Sequence, residues 1–273
     1  MAHGVRLTVA YDGTEFSGFA AQPGQRTVQG VLAAAAERVC RRPVLVRGAS
    51  RTDSGVHALG QVAAFATERE LHPERWVMAL NRYLPDDVAV RDAAPCPPDY
   101  EPRFDARDKT YRYVFDLGRV RQPLLHNRVW HIGKQIGRVP HGPSGEARLD
   151  LPAMRQVCAA LTGTHDFRAF RASADARENT VRTLMRLTLT EGYAGDPGLL
   201  AFEVQGNSFM MNMVRILAGT LIDVGRGKLT AAQVTALLTD QGERSRAGMT
   251  APAHGLTLVA VNLGRLDRAP ASR

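Results

Sequence analysis

The chain has 273 residues, 44% of them hydrophobic and 23% charged, a composition that suits one large globular domain or two modest ones. Its 35 basic residues against 27 acidic ones give a net charge of +8, which favours polyanionic partners such as nucleic acid but by itself indicates only non-specific attraction. Three widely spaced cysteines, Cys40, Cys96 and Cys158, argue against a disulfide frame or a zinc site and for reduced thiols in a cytoplasmic protein.

No basic start followed by an apolar run opens the sequence, so no signal peptide is expected. The first hundred residues read as strand, helix, strand, strand, helix, strand. Val5 to Ala10 alternates apolar and polar and stops at Asp12-Gly13. Thr27 to Arg41 is predicted helical, because Val28, Leu32, Ala35 and Val39 fall on one face. Val44 to Val46 and Gln61 to Phe65 read as strands. Pro73 suits a helix start, Trp76, Val77, Leu80 and Leu84 supply its stripe, and Val88 to Val90 closes the unit. A run of prolines at Pro95, Pro97, Pro98 and Pro102 then predicts a break between halves.

The second half repeats the order more loosely. Thr110 to Phe115 reads as a strand, Gly133 to Gly145 as an insertion, and Leu151 to Leu161 as a helix. Val181 to Leu189 and Leu199 to Val204 read as strands about the turn Gly195-Asp196-Pro197-Gly198. Phe209 to Ile222 and Ala231 to Leu238 read as helices, Leu256 to Val261 as a last strand, and the tail after Gly264 as frayed. The expectation is an α+β protein of two ferredoxin-like, βαββαβ-type halves, with mixed or antiparallel sheets, helices on one face and a central catalytic cleft. The expected domains are 1–98, carrying Asp53, and 99–273, carrying Tyr111, Arg215 and the closing strand.

Two segments point to chemistry. Gly48-Ala49-Ser50-Arg51-Thr52-Asp53-Ser54-Gly55-Val56-His57-Ala58 lies between two predicted strands, and its outer glycines permit sharp turns. Arg51, two residues before Asp53, suits a phosphate contact or support for an ionised carboxylate; a tight structural loop with an Asx turn at Asp53 is the alternative. Between Glu203 and Asp223 the only charged residue is Arg215, set among Met213, Val214, Ile216, Leu217 and Leu221. That composition suits a buried helix rather than a membrane span. A buried guanidinium needs an anionic partner, for which Asp53 is the candidate, unless Arg215 snorkels to solvent from a helix end.

Other chemistries fit poorly. Asp53-Ser54-Gly55 looks like half of an aspartic protease signature, but no second copy occurs, and a glycosidase likewise needs two carboxylates. Gly225-Arg226-Gly227-Lys228 is too short for a phosphate-binding P-loop, and His126 with His131 is not a metal spacing.

Taken together, the segments resemble the TruA family of tRNA pseudouridine synthases from about Val5 to Leu263. Gly48 to Ala58 is similar to the family's G-A-G-R-T-D-A-G-V-H-A loop. Tyr11-Asp12-Gly13-Thr14 with Thr27-Val28-Gln29, Leu80-Asn81 with Leu84-Pro85, and Arg103-Phe104-Asp105-Ala106 with Lys109-Thr110-Tyr111-Arg112-Tyr113 resemble further motifs. So do Phe209 to Gly219, around Met213-Val214-Arg215, and Thr250 to Leu256. Ser50, Ser54, Phe19-Ala20 and Met211-Asn212 depart from the usual residues.

The resemblance implies an isomerase that converts uridine to pseudouridine in the anticodon arm of tRNA. Asp53 would be the essential aspartate, Arg215 its salt-bridge partner, and Tyr111 the ring that stacks on the flipped base and a candidate base for the final proton. Leu256 would line the base pocket, and Arg51 would touch phosphate. The resemblance also implies a homodimer and no metal or other cofactor. The rivals are a non-catalytic RNA-binding protein or chaperone, and a pseudouridine synthase for another RNA. Surface loops such as Gly133 to Gly145 and Arg171 to Asn179 would decide the substrate.

Overall fold

The computed structural model describes residues 2–132 and 148–264; the predicted insertion and the tail after Gly264 lie outside them. The chain is mixed α and β and divides into two compact units. The described residues up to Lys109 and from Thr257 onward form one, and Thr110–Leu256 forms the other.

The first unit starts with β1 (His3–Tyr11), α1 (Val28–Cys40), β2 (Arg47–Gly48), β3 (His57–Thr67), α2 (Pro73–Asn81) and β4 (Val88–Cys96). β1 lies between β3 and β4, antiparallel to both, with Val5 opposite Phe65 on one side and Pro95 on the other. The far edge of β3 carries β2 antiparallel, Gly48 opposite Ala63. On the same edge it carries β10 (Leu256–Leu263) in parallel, Thr257 opposite His57. Thr27 caps α1 by accepting from the Gly30 amide, and Val28, Leu32, Ala35, Ala36 and Val39 form its buried stripe. α1 packs on α2, and α2 on β4.

Two expectations are corrected in this unit. Val44 and Val46 are buried but belong to no strand, because side chains take their main-chain bonds. Glu37 accepts from the Val44 amide, and Gln29 donates to the Val46 carbonyl. The proline run interrupts the regular structure only in part: Pro97 and Pro98 lie between elements, but the other two do not. Pro95 sits within β4, an edge strand, the position in a sheet where proline is tolerated, and Pro102 starts the short helix α3 (Pro102–Asp105).

The second unit takes up β5 (Ala106–Asp116), followed by β6 (Trp130–His131), α4 (Leu151–Leu161), β7 (Gly163–Asp166), β8 (Val181–Glu191), β9 (Leu199–Gly206), α5 (Met213–Gly225) and α6 (Ala231–Thr235). Its strands run in the spatial order β5-β9-β8-β7, with β6 parallel to β5. Alternation along β5 sends Tyr111, Tyr113 and Phe115 to one face, where Tyr113, Phe115 and Trp130 cluster with ring centres 4.9 to 6.1 Å apart. The opposite face carries Val114, packed with Val129, Leu199 and Ala201.

α5 is apolar all round because it is enclosed all round. A β-carbon on Gly219 would stand 1.9 Å from the Met249 carbonyl oxygen, and one on Gly248 would stand 2.5 Å from the Thr220 Cα. Only glycine lets helix and loop approach this closely. The Thr220 hydroxyl donates to the Ile216 carbonyl at 2.8 Å and accepts from the Gly248 amide at 2.9 Å. The helix starts at Met213 rather than at Phe209 as its periodicity predicts, with Asn212 at the N-cap in the left-handed region, φ 60°.

Candidate active site

In the first unit the Asp53 loop joins β2 to β3 and is tied down by its own turn and by neighbouring segments. The Val56 amide donates to the Asp53 carbonyl at 3.2 Å, and Gly55, at φ +78°, occupies the third position of the resulting turn, as a type II turn requires. The segment after β1 straps the loop. The Phe19 amide donates to the Thr52 carbonyl at 3.1 Å, while the Gly55 amide and the Ser54 hydroxyl donate to the Phe16 carbonyl at 3.3 and 3.1 Å. Gly13 passes so close that a β-carbon there would stand 2.0 Å from the Val56 carbonyl oxygen.

Buried side chains complete the hold. Gln61, fully buried, donates to the Ser50 carbonyl at 2.8 Å and accepts from the Ser50 amide at 3.2 Å. The Thr52 hydroxyl meets the Tyr11 hydroxyl at 2.8 Å. His57 Nδ1 accepts from the Gly13 amide at 3.0 Å, and the carboxylate of Asp12 lies 3.1 Å from the same nitrogen and receives the amide and hydroxyl of Thr14. Each neutral bond of this kind contributes about 1 kcal/mol net, and an orphaned buried group costs about 1–3 kcal/mol. The loop is therefore held in one conformation, with Asp53 half-buried and Arg51 exposed. The sequence places His57 within the loop and Tyr11 at the head of the Tyr11-Asp12-Gly13-Thr14 motif without giving either a holding role, and it reads Gln61 only as the start of a strand.

The second unit gathers Tyr111, Phe209, Asn212 and Arg215. Tyr111 is buried, and its ring stands nearly perpendicular to that of Phe209, 5.1 Å between centres and 81° between planes. Arg215 falls in the first turn of α5. Its Nε donates to the Ala251 carbonyl at 2.7 Å, the Ala251 amide returns a bond to the Arg215 carbonyl at 3.1 Å, and Nη1 donates to Asn212 Oδ1 at 2.8 Å. Asn212 thus spends its side chain on the guanidinium rather than on capping the helix.

Tyr113 donates its hydroxyl to the Pro252 carbonyl at 2.8 Å. Burial pushes this phenol well above the usual tyrosine range, against the opposing charge of Arg215, so it stays a neutral donor. A β-carbon on Gly255 would press to 2.5 Å from the Tyr113 ring, which fixes the chain just before buried Leu256. Sequence reasoning named Tyr111, Arg215 and Leu256 but not Phe209, Asn212 or Ala251 as their holders. Among the described residues no group of three or more histidines, cysteines or acids is placed to hold a metal, and no helix is long and apolar enough to cross a membrane.

A family described as tRNA pseudouridine synthase matches residues 7–105 and 157–262, which contain every residue of both constellations except Tyr111 and Tyr113. The chain belongs to this family. Among its relatives it is 40% identical over 257 residues to the tRNA pseudouridine synthase A of Citrifermentans bemidjiense, covering 94% of this chain and 96% of that one. It is 41% identical over 260 residues to that of Shouchella clausii, covering 94% and 92%. With that of Myxococcus xanthus it shares 43% over 254 residues, covering 93% and 89%. As a tRNA pseudouridine synthase the chain is an isomerase that acts on uridine. Two of its departures from the usual family residues have local reasons. Ser54 supplies the hydroxyl that bonds the Phe16 carbonyl, and Phe19 lays its ring over Gly48, 2.2 Å from where a β-carbon would stand.

Proposed function

We propose that the chain isomerises uridines in the anticodon arm of tRNA, with Asp53 as the essential carboxylate. The observation that carries this reading is the Asp53 loop: its backbone and buried neighbours are hydrogen-bonded in one fixed arrangement, while Asp53 itself keeps partial access to solvent. Such preorganisation of one carboxylate is what a reaction without water activation requires.

The target uridine leaves the stack before reaction. Tyr111 takes the place of the lost neighbour, a contact worth about 1–3 kcal/mol per base. Arg215 serves as the cationic partner of Asp53; its start-of-helix position adds the positive end of α5 to the guanidinium. Asp53 initiates cleavage of the bond between C1′ and N1 by attack on the sugar, by addition to the uracil ring or by removal of a sugar proton. Uracil then turns and rejoins through C5, and the C5 hydrogen leaves as a proton, with Tyr111 the candidate base. Leu256 lines the base pocket and Arg51 contacts phosphate. The net charge of +8 suits the tRNA backbone.

The working assembly in this reading is a cytoplasmic homodimer of chains built from two ferredoxin-like halves. The first unit's spatial order β4-β1-β3-β2 and the second's run β5-β9-β8 support the latter. The test is tritium release from tRNA labelled at C5 of uridine. Wild type releases tritium and Asp53→Asn, still binding tRNA, releases none. Equal release from both would remove Asp53 from the chemistry, and no release from wild type on anticodon-arm substrates would move the substrate to another RNA.

A further inference from the structure

The four residues before α5 break the helical pattern their sequence favours, and a second segment holds them out of it. The Ala172 amide donates to the Met211 carbonyl at 3.0 Å, and the Met211 amide donates to Asp175 Oδ2 at 2.9 Å. Arg177 Nη1 donates to the Phe209 carbonyl at 3.1 Å. Asp175 is the centre of this clamp. It is 5% exposed, its Oδ1 accepts from the Arg177 amide at 3.2 Å and faces Arg177 Nε at 3.1 Å, and its own amide donates to the Ala172 carbonyl at 2.9 Å.

Burial, the largest influence, pushes the Asp175 carboxyl up. The Met211 and Arg177 amides, with the charges of Arg177 and Arg171, outweigh it and hold the group below its ordinary range. The clamp therefore keeps its charge at neutral pH.

The clamped segment has two ends, and each holds a member of the second constellation. Phe209 sets its ring against Tyr111 and presses on Gly206, where a β-carbon would stand 3.0 Å from Phe209 Cζ. Asn212, in the left-handed region, holds the Arg215 guanidinium. We propose that Asp175 is a positioning residue for the isomerisation: by bonding the Met211 amide it fixes residues 209–212, and through them the Tyr111 ring and the Arg215 guanidinium. This rests on the reading of Tyr111 and Arg215 as parts of the reaction site.

The experiment compares wild type, Asp175→Ala and Asp175→Asn as full-length proteins, with Tyr111→Ala and Arg215→Ala as references. It reads kcat and KM by tritium release, and stability by urea unfolding. Asp175→Ala is expected to lower kcat on the order of 10²-fold, the cost of a misplacement near 1 Å, with KM for tRNA within about threefold of wild type. Asp175→Asn keeps an oxygen for the Met211 amide and is expected to recover at least about tenfold of that loss, one retained hydrogen bond to a positioned group. Wild-type kcat in Asp175→Ala, while both reference variants are impaired, overturns the inference alone. So does a loss in Asp175→Ala that Asp175→Asn does not recover although it unfolds at the wild-type urea concentration. Wild-type kcat in Tyr111→Ala and Arg215→Ala overturns the reading beneath it as well.

Discussion

The Asp53 loop and the first turn of α5 each carry an ionisable residue proposed for the reaction, yet they are held by different means. The loop is a continuous run of eleven residues, Gly48 to Ala58, closed by its own turn and strapped by the segment that directly follows β1. The start of α5 is held by pieces scattered along the chain: Ala251 on one side of Arg215, Asn212 on the other, and Asp175 behind Met211. A carboxylate in a short motif can be fixed by nearby backbone amides. A guanidinium only donates, and the main-chain carbonyls of the first turn are engaged along the helix, so Arg215 takes its acceptors from Ala251 and the Asn212 side chain.

The largest effect that separates or equates the two regions is steric. Gly13→Ala and Gly219→Ala each push a methyl to about 2 Å from a carbonyl oxygen, and each is expected to cost about 3 kcal/mol in urea unfolding. If one of them unfolds at the wild-type urea concentration, that region tolerates a looser approach than the other.

Next comes the polar hold. Gln61→Leu strips the Ser50 amide and carbonyl of their partner inside the first unit, for an expected loss of about 2 kcal/mol and a parallel loss of tritium release. Full activity with reduced stability would show that the loop keeps its shape without Gln61.

Asn212→Gly makes the converse test in the second unit. Glycine accepts the positive φ, so stability should move by no more than about 0.5 kcal/mol, while loss of the bond to Arg215 lowers kcat on the order of tenfold. A drop in stability with kcat intact would mean that the side chain serves the fold and not the guanidinium.

The smallest contrast is in the thiols. Burial pushes Cys96 of the first unit to about 11 and Cys158 of the second to about 12. The thiolate fraction of Cys96 at pH 8 is then about 10⁻³, so peptide mapping should find both sites resistant to iodoacetamide at pH 8, with Cys96 gaining reactivity first as pH rises. Alkylation of either at pH 8 at the rate of a free thiol would show that its unit opens locally.

Where the sequence misled, the cause lay outside the misread segment itself. Val44 and Val46 look like a strand because they are β-branched, apolar and buried, yet the side chains of Glu37 and Gln29 hold their main-chain groups. Phe209, Met210 and Met211 continue the apolar pattern of α5, but bonds from Met211 to Ala172 and Asp175 take them out of the helix. Pro95 looks like a break and is tolerated because, among the described residues, β4 is an edge strand that pairs with β1 alone.

What the sequence by itself determined was whatever a periodicity or a contiguous motif encodes: the order of elements in the first hundred residues, α4 to the residue, the Asp53 loop, and the anomaly of a lone arginine in an apolar helix. What only the tertiary structure decided was how those parts are held: Gln61 gripping Ser50, Ala251 and Asn212 holding Arg215, Phe209 against Tyr111, and Asp175 clamping Met211. Patterns along a chain report which surfaces are buried. A buried main-chain group still has to find a hydrogen-bond partner, and any side chain that folding brings near can supply it, from any distance along the sequence.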